Sequence, residues 1–448
     1  MQIFELMTSI ITRQKVVLES IKEKSSAHII ERLYTEYDHK FNLRRESSFA
    51  SLVNFSMHKD EPFQRWHYYQ EGYSPDLVKE IFKYLKLDKN SAEILDPFVG
   101  SGTTLVAAQE IGVNATGVEL NPFSHYMAKA KTKKYSQTSI SQCKSFKLPK
   151  YSEINGVFDR FKLSIIEKLY SKENLTKIEL IRDSIEKIND KDAQIILSAA
   201  LFSLLEACSN YKKGGNGLKK RKRQNELDVY VEFKFKLSQV IEDVESISSS
   251  SRVRVFKSNV TELGQIIDNN SIDLSIFSPP YANCFDYFEV YKIELWLGMF
   301  VKDYESLRVL RKSALTSNLN ANLKKEASVN DVHSSIFRHV IKLISVEGLW
   351  DKRIPKMLLL YFLDMQNMLH DLFKKQKDGS YVAIVVGNSA YSGIPIATDL
   401  ILAEIALSQG FKVKEIIVAR NNETSSQQYD RIGELVKYIR ESIVILEK

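Results

Sequence analysis

The chain has 448 residues, 63 Lys plus Arg against 56 Asp plus Glu and a formal charge of +7, with a pI near 8.9, a balance that suits a polyanionic partner without demanding one. Three cysteines, Cys143, Cys208 and Cys284, lack Cys-x-x-Cys spacing and argue against a disulfide framework and against a zinc site, so no metal is expected. No apolar run approaches the roughly 20 residues of a membrane span, and Met1 to Arg13 is too short and mixed for a secretory signal, so a cytoplasmic protein with no membrane partner is expected.

A length of 448 residues exceeds one core's usual size, so a catalytic domain of roughly 200 to 250 residues must carry additions. Residues 1–50 read as a charged helical arm with Ile3, Leu6 and Ile10 on one face. An aromatic stretch follows, Phe63, Trp66, His67, Tyr68, Tyr69 and Tyr73, before a helix marked by Ser74 as N-cap, Pro75 as first residue and Asp76 in the first turn. Trp66 is read as core in preference to ligand contact, and His67, without a nearby histidine or cysteine, as structural.

Glu93-Ile94-Leu95 then runs as a strand into Asp96-Pro97-Phe98-Val99-Gly100-Ser101-Gly102-Thr103-Thr104 and a helical pattern of Leu105, Val106, Ala108 and Ile111. Strand, glycine turn and helix start in that order form a cradle for a nucleotide-like cofactor, since Gly100 and Gly102 permit close backbone approach and the helix end offers free N–H groups. The Gly-Lys-Ser/Thr ending of a phosphate loop is missing, as is the third glycine of the dinucleotide fingerprint. A second strand, Ala115 to Val118, ends in Glu119-Leu120-Asn121-Pro122, which puts Glu119 where such folds bind a ribose diol.

From 151 to 248 the pattern is helical, with Phe158, Phe161, Leu163, Ile166 and Leu169 as one apolar set and Ile195 to Leu205 as another. A glycine-flexible loop from Tyr211 interrupts it and feeds the basic cluster Lys219, Lys220, Arg221, Lys222 and Arg223, the kind of cluster that neutralises phosphates without reading sequence. After a strand at Val253 to Phe256, the apolar run Ile272 to Phe277 ends in Ser278-Pro279-Pro280-Tyr281. The prolines remove two backbone donors, leaving the Ser278 hydroxyl and the Pro279 carbonyl to accept hydrogen bonds beside the flat face of Tyr281. Acceptors beside a stacking ring suit a planar amine drawn out of a nucleic-acid stack. Residues 301–356 read as an insertion, polar and mobile around Ser313 to Asn330.

These segments together resemble the S-adenosylmethionine-dependent DNA amino-methyltransferases, which methylate cytosine N4 or adenine N6. The resemblance rests on Asp96 to Thr104, Glu119 and Ser278 to Tyr281, with weaker matches at Tyr73-Ser74-Pro75 and at Asn259, and covers about half the chain. It implies an α/β fold, a Rossmann-like seven-stranded methyltransferase sheet with helical insertions. Gly379 to Ser389 supplies a core strand, and Phe411 to Ala419 with Ser442 to Leu446 the closing antiparallel pair. The organisation expected is an arm (1–50), a cofactor half (51–132), a helical insertion with the basic loop (133–250), a catalytic strand and helix (251–300), a second insertion (301–356) and a closing half (357–448).

The resemblance also implies S-adenosylmethionine as cofactor, held by Tyr73, Asp96, Pro97, Phe98, Gly100, Gly102, Thr103, Glu119 and Asn259, and catalysis by Ser278, Pro279, Pro280 and Tyr281. Double-stranded DNA is the expected partner, in a bacterial or archaeal cell; a cognate restriction endonuclease is compatible with the resemblance, and the sequence does not decide whether one is associated. A serine at the first catalytic position goes more often with cytosine N4 in that family, so N4-methylcytosine is expected. Adenine N6 and RNA are alternatives, and a non-catalytic nucleic-acid-binding protein on a methyltransferase fold a more distant one. Cys284 is not read as a nucleophile, because it lies beyond Asn283 and lacks a neighbouring base, and Asp286 reads as a helix-surface carboxylate in preference to a proton acceptor. The large insert falls before the third strand instead of directly before Ser278, which leaves base recognition to either insertion.

Overall fold

The computed structural model describes residues 27–55, 58–67, 69, 72–215, 217–222, 225–247, 250–344, 348–422 and 431–448. Ile3, Leu6, Ile10, Tyr68 and Arg223 lie outside the described residues. Eight strands form the main sheet: β1 (Leu43–Arg45), β2 (Glu93–Asp96), β3 (Asn114–Glu119), β4 (Val253–Lys257), β5 (Ile272–Phe277), β6 (Gln376–Gly387), β7 (Lys412–Asn421) and β8 (Arg440–Glu447). Their order is β1-β7-β8-β6-β5-β2-β3-β4. The run from β4 to β6 is parallel, and β8 is antiparallel to both neighbours, β6 and β7.

Seven of these strands form the expected sheet, closed by the antiparallel pair at the C-terminal end of the chain. The eighth, β1, pairs parallel to β7 at the edge, with Leu43 opposite Ile416 and Arg45 opposite Val418. It departs from the expected all-helical arm, whose described part is a helix at 27–40 followed by this strand. Arg44 reaches Glu415 of β7 at 2.6 Å and Arg45 reaches Asn421 at 3.1 Å.

Period-two alternation explains why helices cover both faces of the sheet. In β8, Ile443 and Ile445 join the core under the helices Pro75–Tyr84 and Thr103–Ile111. Val444 and Leu446 face the opposite core, built on Ile354–Lys375 and Thr398–Ser408. The helix before β2 starts as the sequence predicts, with Ser74 accepting the Asp76 N–H at 3.0 Å, Pro75 first, and Leu77, Val78, Ile81 and Phe82 buried.

A third core lies in the helical region between β3 and β4, where the helices Lys172–Glu186, Lys191–Cys208 and Val229–Glu245 pack with Phe123 and Met127 and with residues 288–301 after β5. The glycine-flexible loop expected from Tyr211 is instead an antiparallel hairpin, Tyr211–Gly214 with Gly217–Lys220. Its root is fixed by Lys213, whose ammonium is buried against Glu294 Oε1 at 2.5 Å and His67 Nε2 at 3.0 Å. The mobile stretch expected around Ser313 to Asn330 is also ordered: Thr316, Ser317 and Asn318 are buried, and Asp364 accepts the Thr316 N–H and hydroxyl at 3.0 and 2.7 Å. Among the described residues no helix is long and apolar enough to cross a membrane.

Candidate active site

Three neighbouring parallel strands, β5, β2 and β3, end side by side, and their carboxyl ends deliver Ser278, Asp96 and Glu119 to one cleft, about 1040 Å³ when the open solvent at its mouth is included. Tyr73, Asp96, Pro97, Phe98, Gly100, Thr103, Glu119, Asn259, Ser278 and Pro280 all line it. Gly102, Pro279 and Tyr281 stand just outside the lining.

The turn after β2 is held from within. Asp96 accepts the Phe98 N–H at 2.9 Å and the hydroxyls of Thr104 and, at 3.2 Å, Tyr73. Burial pushes the Asp96 carboxyl up to about 6 against these donors. Two glycines are required by the backbone: Gly102 has φ +96° and a Cβ there would lie 2.9 Å from the Ala128 Cα, while Gly100 has φ +51° beneath the Tyr69 ring. Thr103 starts the helix and donates to Gln64 Oε1 at 3.2 Å.

Glu119 is half-buried and accepts the N–H groups of Gly100 at 2.8 Å and Asn121 at 2.7 Å. A carboxylate offers about four lone-pair sites, so room is left for a diol. Burial outweighs the two donors and raises the carboxyl to about 7. Asn259 caps the short turn of 3₁₀ helix Val260–Glu262, accepting from Thr261 at 3.0 Å, and donates to the Ser313 carbonyl. One of its amide N–H groups and its carbonyl are therefore already engaged, which ties the second insertion to the end of β4.

At the turn after β5, the Ser278 hydroxyl donates to the Tyr281 oxygen at 3.5 Å, and Tyr281 donates to Glu441 Oε1 at 2.8 Å. Arg420 holds the other Glu441 oxygen at 2.7 Å. This relay turns the Ser278 proton away and leaves its lone pairs as acceptors. The Tyr281 ring lies on Gly387, where a Cβ would come within 2.8 Å of it.

Several neighbours resolve into structural roles. Trp66 donates to Asp243 Oδ2 at 2.7 Å inside the insertion core and does not reach the cleft. His67 is buried with a pKa driven well below its usual value by desolvation and then by Lys213. Cys284 is buried 3.4 Å from the Tyr391 hydroxyl, and burial raises its thiol, the opposite of what a thiolate nucleophile needs. Asp286 is no surface carboxylate: it is buried, caps the helix Tyr287–Val290 and pairs with Arg311 and Asn320, both at 2.8 Å.

The basic cluster divides. Lys219, Lys220 and Lys222 are exposed, whereas Arg221 is half-buried and donates to the Glu206 carbonyl at 3.1 Å. The hairpin packs beside Tyr287–Val290, two of whose residues, Tyr287 and Phe288, line the cleft. Sequence reasoning missed the opposite wall, Ala314, Leu315, Ser317 and Asn318, and also Glu441, which lies 160 positions from Tyr281.

A family model described as D12 class N6 adenine-specific DNA methyltransferase matches residues 75–341, and a DNA methylase model matches residues 19–130. The chain belongs to the DNA amino-methyltransferases. S-adenosylmethionine is the cofactor of this methyltransferase, and the cleft fits it: a glycine cradle, free lone pairs on Glu119, and a buried Ser101 hydroxyl with no partner among the described residues. The enzyme is 29% identical over 438 residues to the type II methyltransferase M.AvaI of Nostoc sp., covering 90% of each chain. It is 27% identical to the type II methyltransferase M.BsoBI of Geobacillus stearothermophilus over 96% of this chain and 92% of that one. With the type II methyltransferase M.MvaI of Kocuria varians it shares 24% identity, over 76% and 80% of the two chains.

Proposed function

We propose that this methyltransferase modifies the exocyclic N4 of a flipped cytosine at specific sites in double-stranded DNA, as the protective partner of a restriction endonuclease. The observation that carries the reading is the neutral acceptor Ser278 at the end of β5, its proton drawn aside by Tyr281 and Glu441. Bound S-adenosylmethionine supplies an electrophilic sulfonium methyl. An aromatic amine is a poor nucleophile, so the residues must orient its lone pair instead of relying on basicity. Ser278 and the Pro279 carbonyl accept the two N–H groups and stabilise the charge that develops on nitrogen as the new N–C bond forms and the S–C bond breaks. One N–H proton then leaves along the same acceptors to solvent, while Tyr281 stacks on the base. Glu119 holds the ribose diol, and Asp96 to Thr103, Tyr73 and Asn259 shape the rest of the cofactor cleft.

A short hydroxyl takes one N–H without adding a buried charge and leaves a gap suited to the smaller pyrimidine. The type II descriptions of relatives aligned over most of the chain support the partnership with a nuclease and a site of action in the prokaryotic cytoplasm. The insertion at 133–250 presents Lys219, Lys220 and Lys222 beside the helix after the motif, which supports phosphate contact there. The D12 match, described as adenine-specific, favours a second reading, transfer to adenine N6. Incubation with labelled cofactor and DNA, then mass analysis of the nucleosides, separates the two: N4-methylcytosine is expected, and N6-methyladenine as sole product overturns the cytosine reading.

A further inference from the structure

The stretch 314–318 lines the cleft between two anchors. At one end the Ser313 carbonyl accepts from Asn259, where β4 leaves the sheet, and at the other Asn320 donates to Asp286 Oδ2 at 2.8 Å, five positions beyond Tyr281. Ser317 and Asn318 line the cleft although only 2% and 4% exposed. The Asn318 carbonyl oxygen accepts the Asn320 N–H at 2.9 Å, which fixes the amide and leaves its NH2 as the free end. Among the described residues, neither that NH2 nor the Ser317 hydroxyl has a hydrogen-bond partner. Asn318 lies two positions from the Asn320 anchor, at most about 7 Å of chain, and five from Ser313, up to about 17 Å. The pair therefore lines the same cleft as the acceptor Ser278, on a stretch anchored beside the helix that follows the motif.

Free donors that share a cleft with the acceptor Ser278 can read one edge of a base held between them. Cytosine's pairing edge runs amine, ring nitrogen N3, carbonyl O2: a donor group followed by two acceptors. Adenine offers its amine, one acceptor at N1, and then a C–H. We propose that Asn318 and Ser317 are specificity-determining residues that donate to the two adjacent acceptors of the flipped cytosine, with the Asn318 amide on O2. This rests on the cytosine reading above and adds to it the wall that recognises the ring.

Asn318→Asp is close to isosteric, keeps an acceptor for the Asn320 N–H and replaces the donor by a charge. On a duplex carrying the site mapped by sequencing DNA methylated by the wild type, it should lower kcat/KM for DNA by about 100-fold, and Ser317→Ala by about tenfold. The cofactor Kd by calorimetry should stay within about twofold. A purely structural role is tested with a target nucleoside built on 2-aminopyridine, which keeps the amine and ring nitrogen but carries C–H in place of O2. Wild type should lose about 100-fold on it, and Asn318→Ala should lose little more, because the hydrogen bond to O2 is already gone. Full additivity of the two losses overturns the O2 hydrogen bond, and so does a cofactor Kd weakened tenfold in Asn318→Asp, which would place the amide on the cofactor. If mapping yields N6-methyladenine the cytosine reading and this hydrogen bond fail together. If it yields N4-methylcytosine and Asn318→Asp keeps wild-type kcat/KM, this inference alone fails.

Discussion

Replacing Glu119 with alanine tests the cofactor end of the cleft on two independent axes. The carboxylate satisfies the N–H groups of Gly100 and Asn121 and keeps further lone pairs for a diol. Truncation removes charge-assisted hydrogen bonds to the cofactor, worth about 1–3 kcal/mol, or roughly 5- to 150-fold in Kd. The second axis is pH. With its pKa raised to about 7 by burial, the group's contribution to folding stability is fully present below its ordinary carboxylate value and is lost as pH rises through 7. Cofactor affinity runs the other way, because the ionised form accepts from the diol: wild-type binding should weaken about tenfold between pH 8 and pH 6, as the ionised fraction falls from about nine-tenths to one-tenth. Calorimetric titration of S-adenosylmethionine across that range reads both effects, and the alanine variant supplies the baseline for titration of the cofactor itself. Equal affinities for wild type and variant, with parallel pH profiles, would refute the placement of the ribose at Glu119.

Ser278→Ala should lower kcat about 100-fold, the scale of one aligned catalytic hydrogen bond, with cofactor affinity unchanged, and Tyr281→Ala should lose about 1–3 kcal/mol of base stacking. If single-turnover assays show wild-type rates for both, the motif is only a turn. Neutralising Lys219, Lys220 and Lys222 together should weaken binding to all DNA sequences alike and flatten the salt dependence by a log-log slope of about 0.9 for each phosphate that is no longer neutralised. An unchanged slope in a filter-binding series moves the DNA path away from the hairpin. Gly102→Ala, at φ +96° and 2.9 Å from the Ala128 Cα, should cost about 2–5 kcal/mol in a denaturant titration; wild-type stability would mean the turn relaxes freely.

The parts of the site legible in the sequence were those whose chemistry is local. The turn from Asp96 to Thr104 announces itself because glycine conformation, the Phe98 N–H staple and the helix start all act within nine residues. Ser278 to Tyr281 does so because two adjacent prolines admit few structures. Glu441 gave no sign, since a buried glutamate in an apolar strand acquires its role only when β8 is laid beside β6. The wall at Ser317 and Asn318 looked like loose polar chain because its order comes from Asp364, 48 positions from Thr316. The stretch from Tyr211 reads as a flexible glycine loop because nothing local shows that Glu294 and His67, far away in sequence, draw Lys213 inside and root a hairpin. The arm was read by helical periodicity, which carries no information about a three-residue strand whose partner, β7, begins at Lys412.

That three-residue strand has a bearing on how the enzyme behaves in solution. β7 is ten residues long with a buried centre of Glu415 to Ala419, and among the described residues β1 is the strand that covers its outer hydrogen-bonding edge, opposite Ile416, Ile417 and Val418. Such an edge, left bare, is a template for edge-to-edge association between molecules. β1 shields it with two arginines, so a shortened form of the protein that begins after Arg45 would keep every residue of the cleft and yet expose a sticky seam. Behaviour of the enzyme at high concentration is therefore expected to depend on Leu43, Arg44 and Arg45, none of which lines the cleft.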